Sequence, residues 1–166
     1  MKIVFLGSDG QLGKSLKKYF NESEKNHFFF NKKQLDITDH SAIKEKIALI
    51  KPDFVINACA YTSVDSAEEN FDKANDINNI SVGNLANECL NNKCLLVHIS
   101  TDYVFDGFSN YPYKEDDKKN PTGIYGRTKL EGENKIISSG CKFFIIRTSW
   151  VFSENGKNFL KTILDI

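Results

Sequence analysis

The stretch Tyr125-Gly126-Arg127-Thr128-Lys129 sets a phenol and an amine four positions apart. On a helix, residues four apart share a face, so both groups would address the same small molecule and form a reaction centre. The alternative is a surface helix with an ordinary tyrosine and a solvated lysine, and only context decides between them.

A second pattern offers that context. In the run Gly7-Ser8-Asp9-Gly10-Gln11-Leu12-Gly13, three glycines follow an apolar run and open a segment of helical character. Glycines there allow a tight turn and a close backbone approach to a pyrophosphate, and the helix N-terminus presents free N–H groups to the anion. The spacing is G-x-x-G-x-x-G, and the same glycines could equally be structural. After the second apolar run, where an NAD site usually places an acidic side chain, stand Asn31, Lys32 and Lys33. Two ammonium groups would tolerate a 2′-phosphate, which predicts a preference for NADP(H) with NAD(H) still admissible. Two solvated lysines in a lysine-rich chain are the plainer alternative.

These groups need a frame. Residues 2–7, 27–31, 54–58, 94–100 and 143–149 are continuous apolar runs, as expected of strands buried on both faces. Residues 11–20, 40–50, 64–91 and 123–139 have helical spacing and composition. Strands alternating with helices predict right-handed crossovers and a doubly wound α/β fold of Rossmann type. The expected sheet is parallel, with strand order 3-2-1-4-5 and helices on both faces. The one long loop, 103–122, has the length of a functional segment or a disordered one.

Composition excludes other classes. With 22 basic and 22 acidic side chains in 166 residues, no net field draws the chain to nucleic acid or to an anionic membrane. No apolar run approaches membrane-spanning length. Cys59, Cys89, Cys94 and Cys141 lack metal-ligand spacing and lie in or beside apolar runs, so they read as buried thiols in a reducing compartment. The cytoplasm is the expected location, and no metal site is expected.

The combination of "GSDGQLG", "LDITD", "KPDFVINACAYTSVDSAE", "HISTDYVFDG", "PTGIYGRTKLEGE" and "RTSWVFSENGKNFLKTIL" resembles the extended short-chain dehydrogenase/reductase family along the whole chain. Within it the nearest likeness is to the dTDP-4-dehydrorhamnose reductases, which complete dTDP-L-rhamnose synthesis. The resemblance implies NADPH-dependent reduction of the 4-keto group of a dTDP-linked sugar. Tyr125 would be the proton donor, Lys129 would lower the tyrosine pKa and hold the nicotinamide ribose, and Thr101 would hold the substrate carbonyl. A free tyrosine has a pKa near 10, so such an acid needs help at neutral pH. Cofactor contacts would come from Gly7, Gly10, Gln11, Leu12 and Gly13 at the phosphates, Asn31 and Lys32 near the 2′ position, and Asp36 with Ile37 at the adenine. Ala60, Tyr61 and Thr62, with Tyr125 and Lys129, would line the ribose and nicotinamide. Asp102 and Trp150, with Thr101, would touch the nucleotide sugar. Each has a structural alternative: Asp36 starting a turn, Asp102 capping a segment, Trp150 packing as a core aromatic. Asn78 matches a structural asparagine of the family.

Nucleotide-sugar 4,6-dehydratases carry Thr-Asp-Glu where this chain reads Thr101-Asp102-Tyr103, and a tyrosine cannot replace that carboxylate base. Epimerases, which keep NAD bound, suit the Asn31-Lys32-Lys33 segment poorly. A reductase of another nucleotide-linked keto-sugar remains open. So does a non-catalytic NADP-binding regulatory subunit like that of methionine adenosyltransferase. The resemblance makes residues 1–166 a cofactor-binding Rossmann domain cut short at its C-terminus, with the substrate domain largely absent. It also predicts an open sheet edge beside the fifth strand, and a partner there in the form of a second copy or a complementing C-terminal segment.

Overall fold

The first strand, β1 (Ile3–Leu6), is buried at all four positions, and this places it inside the sheet rather than at an edge. The computed structural model describes residues 1–21, 24–156, 158–164 and 166. Around β1 are β2 (His27–Phe30), β3 (Phe54–Asn57), β4 (Leu95–Thr101) and β5 (Lys142–Thr148), all parallel. The helices are α1 (Gln11–Phe20), α2 (His40–Ile50), α3 (Val64–Glu69), α4 (Phe71–Asn75), α5 (Ser81–Asn91), α6 (Ile124–Ser139) and α7 (Phe159–Leu164). The expected Rossmann-type α/β fold is present.

The strand order corrects the sequence reading: it is β2-β1-β3-β4-β5, not 3-2-1-4-5. An outer strand beside β2 would have to come from the residues just after it. That segment spends its backbone on local turns, with Gln34 and Leu35 N–H donating to the Asn31 carbonyl and Asp39 N–H to that of Asp36. Leu35 and Ile37 are still buried, but they enter no ladder. α2 then carries the chain across β1, so the winding reverses between β1 and β3. Ligands of open parallel sheets bind at such a reversal, beyond the carboxyl ends of the strands.

α2 shows how the sequence fixes an element. The Asp39 carboxylate accepts from Ala42 N–H at 2.9 Å as an N-cap, Lys51 closes the helix in the left-handed region, and Ile43, Ile47 and Ile50 form the buried stripe. That stripe joins Val4, Leu6, Val55, Leu85, Leu96 and Ile136 in the main core, beneath α2, α5 and α6. The opposite face is covered less widely. There Leu16 and Phe20 of α1 pack on Ile3, Phe5 and Phe29. Toward β5 that second face is open: Phe144 is 62% and Ile146 46% exposed, beside half-buried Val97 and Ile99 of β4. The expected open side next to the fifth strand is therefore seen, while the expectation that all strands are buried on both faces fails at β5.

The long helix expected over 64–91 is interrupted. α3 ends at Asn70, and a π-turn at Asp76–Ile80 joins α4 to α5. α7 lies outside the expected helices. The loop 103–122 is organised by Asp106, which accepts from the Tyr113 hydroxyl at 2.6 Å and from Asn120 Nδ2 at 3.2 Å, while Phe105 stacks on Tyr113. Among the described residues no helix is long and apolar enough to cross a membrane.

Candidate active site

The turn after β1 packs as the glycine spacing requires. Gly7 has φ +83°, and a Cβ there would lie 2.9 Å from the Ala58 backbone at the end of β3. At Gly13 a Cβ would stand 2.2 Å from the Gly7 carbonyl, so only glycine lets α1 start this close to the strand. Beside them Ser8 is fully buried, and its hydroxyl has no partner among the described residues. A buried donor normally finds an acceptor. The orphan hydroxyl, the backbone cradle and the N-terminus of α1 together suit a phosphate group. Gln11 is drawn toward the segment after β5: its Nε2 donates to the Val151 carbonyl at 2.9 Å, and its Oε1 accepts from Asn158 at 3.1 Å. Leu12 is half-buried at the start of α1.

Beyond β2, Asn31 closes a small turn by exchanging hydrogen bonds with Gln34. Lys32 Nζ lies 3.6 Å from Asp36, whose other oxygen accepts from the N–H and hydroxyl of Thr38. Asp36 therefore does start a turn. Burial acts to raise its pKa, but the Thr38 bonds and Lys32 outweigh it and hold the carboxyl below its ordinary value. Asp36 also bears on Cys59, whose thiol is pushed up to about 12, first by burial and then by that carboxylate. Ile37 is buried behind it.

Ala60 and Tyr61 are half-buried and Thr62 is exposed, on the stretch that follows β3. Asn78 pins this stretch: its Oδ1 accepts from Tyr61 N–H at 2.9 Å, and its Nδ2 donates to the Tyr61 carbonyl and the Thr128 hydroxyl, both at 3.2 Å. Asn78 occupies the π-turn, where the extra residue per turn redirects a side chain without ending the helix. Its structural role matches the sequence reading.

Thr101 ends β4, and its hydroxyl lies near the phenol of Tyr125, whose pKa it acts to lower. The same hydroxyl donates to Asp102 Oδ1 at 3.2 Å and accepts from Tyr103 N–H. Asp102 Oδ2 takes the Ser149 hydroxyl at 2.7 Å, which ties the end of β4 to the end of β5. Thr101 and Tyr125 thus lie together at the carboxyl edge of the sheet. Burial is the largest influence on Tyr125 and raises its pKa; the Thr101 hydroxyl pulls it down, and Asp102 and Tyr103 push it up.

Lys129 lies beneath that arrangement, against β4. It is nearly fully buried, its Nζ donates to the Ile99 carbonyl at 2.8 Å, and it lies 3.1 Å from His98 Nε2. Burial pushes it down to about 8, against Glu133 and Cys59. Burial first, then Asp102 and Tyr103, raise the phenol, and Lys129 is not among the groups that act on it. His98 is held well below its ordinary value by burial first and Lys129 second.

Trp150 is not a core aromatic. It has φ +51°, is 71% exposed, and meets only Phe159 edge-on at 4.8 Å among the described rings. With Phe152, Phe159, Leu160 and Ile163 it lines an apolar groove of about 500 Å³. Asp102 accepts from Ser149, the residue before Trp150.

Sequence reasoning missed a buried polar layer under α6. Glu133 accepts from Arg147 Nη2 at 2.7 Å and Nε at 3.0 Å and from the Ser100 hydroxyl. These bonds raise the Arg147 pKa, the hydrogen bond to Glu133 being the largest cause. Asn57 donates to His98 Nδ1 at 3.1 Å from the neighbouring strand. The available signal was a polar residue breaking each apolar run, Asn57 in one and His98 in the other. Among the described residues no cluster of three or more His, Cys, Asp or Glu could hold a metal ion.

The comparisons agree with this geometry. The chain is 40% identical over 164 residues to the dTDP-4-dehydrorhamnose reductase of Aggregatibacter actinomycetemcomitans, covering 98% of this chain and 56% of that protein. It is 36% identical to the Escherichia coli protein of the same name, covering 99% and 56%. The solved dTDP-4-dehydrorhamnose reductase of Clostridium acetobutylicum superimposes with a TM-score of 0.94 at 41% identity, covering 99% of this chain and 59% of that one. That of Bacillus anthracis, in complex with NADP, does so with a TM-score of 0.94 at 40% identity and the same coverage. The chain thus spans little more than half the length of the relatives it matches. The family model described as RmlD substrate binding domain matches residues 1–166, so the chain belongs to that family.

Proposed function

We propose that this chain carries the cofactor site and the proton donor of an NADPH-dependent reductase that converts dTDP-4-dehydro-6-deoxy-L-mannose to dTDP-L-rhamnose. The observation that carries the reading is the approach of the Tyr125 phenol to the Thr101 hydroxyl at the carboxyl edge of the sheet, beside the reversal between β1 and β3. The names of the relatives support the reaction class, and the NADP complex of the Bacillus anthracis protein supports the cofactor.

In this reading Gly7, Ser8, Gly10, Gln11, Leu12 and Gly13 hold the cofactor phosphates. Asn31 and Lys32 face the 2′-phosphate, Asp36 and Ile37 the adenine, and Ala60, Tyr61, Thr62 and Lys129 the ribose and nicotinamide. When bound, the nicotinamide supplies a hydride to C4 of the keto-sugar. Thr101 holds the carbonyl oxygen, and the Tyr125 phenol delivers a proton to it as charge develops. Asp102 and Trp150 contact the nucleotide sugar. The raised phenol pKa keeps Tyr125 protonated and able to donate throughout the neutral range.

The reading places the chain in the cytoplasm, where four unpaired thiols persist. It also gives the open face beside β5 a partner, either a second copy or a complementing segment, and little turnover without one. Calorimetric titration of the chain with NADP⁺ and NAD⁺ tests the cofactor assignment. NADP⁺ is expected to bind tighter by about 1–3 kcal/mol if one charge-assisted bond forms, with the margin shrinking in salt. Equal affinities at low salt would remove Lys32 from the site. In a turnover-competent assembly, Tyr125→Phe should lower the rate of NADPH oxidation roughly 10²- to 10⁴-fold, with cofactor affinity nearly unchanged.

A further inference from the structure

Four hydrogen bonds run in series beneath the site. Cys59 N–H donates to Asn57 Oδ1 at 3.0 Å, and Asn57 Nδ2 lies 3.1 Å from His98 Nδ1. His98 Nε2 lies 3.1 Å from Lys129 Nζ, which donates to the Ile99 carbonyl at 2.8 Å. Asn57 and His98 are fully buried and Lys129 nearly so. The direction of the first three bonds follows from the Cys59 backbone N–H, which can only donate, and that of the fourth from the Ile99 carbonyl, which can only accept. It requires the Asn57 oxygen on its side, which turns the Asn57 NH₂ toward His98. Nδ1 must then accept, so neutral His98 carries its proton on Nε2 and donates it to Lys129. Lys129 must therefore receive that bond through a lone pair, which an ammonium group lacks.

We propose that His98 and Asn57 are positioning residues that couple the charge of Lys129 to the backbone at Cys59. With Lys129 an amine, all four bonds form. When Lys129 takes up a proton, the ammonium must donate to His98 Nε2. The imidazole proton then belongs on Nδ1, the Asn57 carboxamide reverses, and Cys59 N–H loses its acceptor. One proton gained at Lys129 thus changes the tautomer of His98 without charging it. The change arrives at the start of the Cys59–Thr62 stretch, which Asn78 pins from its far side.

The groups facing this chain come from every element packed on it. They are Glu133 on α6, itself paired with Arg147 of β5; the Cys59 thiol after β3; and His98 on β4. Asp36 reaches the chain through Cys59. None of them supplies an alternative acceptor for Cys59 N–H, so the coupling rests on Asn57.

The test needs neither cofactor nor sugar, so it stands or falls separately from the reductase reading. Long-range proton–nitrogen NMR of the ¹⁵N-labelled chain resolves both nitrogens of each imidazole. There are three histidines, and His98→Gln identifies the signals of interest. As pH falls through the Lys129 value of about 8, the His98 nitrogens should exchange their protonated and unprotonated shifts. The Cys59 amide should shift with the same midpoint. Lys129→Met should abolish both changes. The proposal is overturned if His98 keeps one tautomer over about pH 6 to 10, if both nitrogens become protonated together near the usual histidine value, or if the exchange persists in Lys129→Met. Should that variant not fold, a Cys59 amide in the wild-type chain that ignores the His98 transition overturns it equally.

Discussion

The two faces of the β4–β5 pair are built from opposite materials. On the face beneath α6, Ser100, Glu133 and Arg147 form a closed polar layer, and His98 meets Lys129. On the other face Phe144 and Ile146 are open. Strand alternation alone sends neighbouring residues to these two fates. Buried polar groups tolerate no loss of a partner, whereas exposed apolar groups tolerate almost any change, so substitutions one residue apart should differ sharply.

The largest effect is expected from Arg147→Met, which takes from the buried Glu133 carboxylate the cation hydrogen-bonded to it: about 3–5 kcal/mol of stability by urea unfolding. A loss below about 1 kcal/mol would mean that the layer is not a closed network. Leu96→Ala, on the same covered face, removes a fully buried side chain and should cost about 2–5 kcal/mol.

A pH titration sharpens the contrast. Lys129 has a folded pKa of about 8 against 10.5 unfolded, so between those values the unfolded chain binds more protons. Stability should therefore rise with pH across that window, by up to about 1.4 kcal/mol per unit, and its contribution should flatten below about 8. The difference between wild type and Lys129→Met isolates this slope; parallel curves would show that Lys129 is not desolvated. The smallest effect belongs to the open face. Phe144→Ser should change stability by no more than about 0.5 kcal/mol, and a loss matching that of Leu96→Ala would mean the face is covered in solution.

The faces also differ in how far the sequence revealed them. The five apolar runs locate the strands to within one residue at each end, because these strands carry apolar side chains on both faces and so in near-unbroken series. The Tyr125–Lys129 spacing likewise marks the site, since a helix period is a local property. Strand order is not local: it turned on residues 31–39 folding into turns. Nor is the direction of Lys129, which follows from the register that sets Asn57 beside His98. The π-turn at Asn78 leaves composition and helical spacing almost untouched, which is why 64–91 reads as one helix.

Trp150 is the chain's single tryptophan, and it stands outside both cores on the segment that follows β5. Its fluorescence is consequently a local reporter. The emission should be that of a largely hydrated indole in the native chain, and it should follow the docking of α7 through Phe159 rather than the melting of the sheet. Far-ultraviolet dichroism follows the strands and helices instead. The two signals carried by one molecule therefore separate the fate of the C-terminal segment from that of the domain, with no label attached.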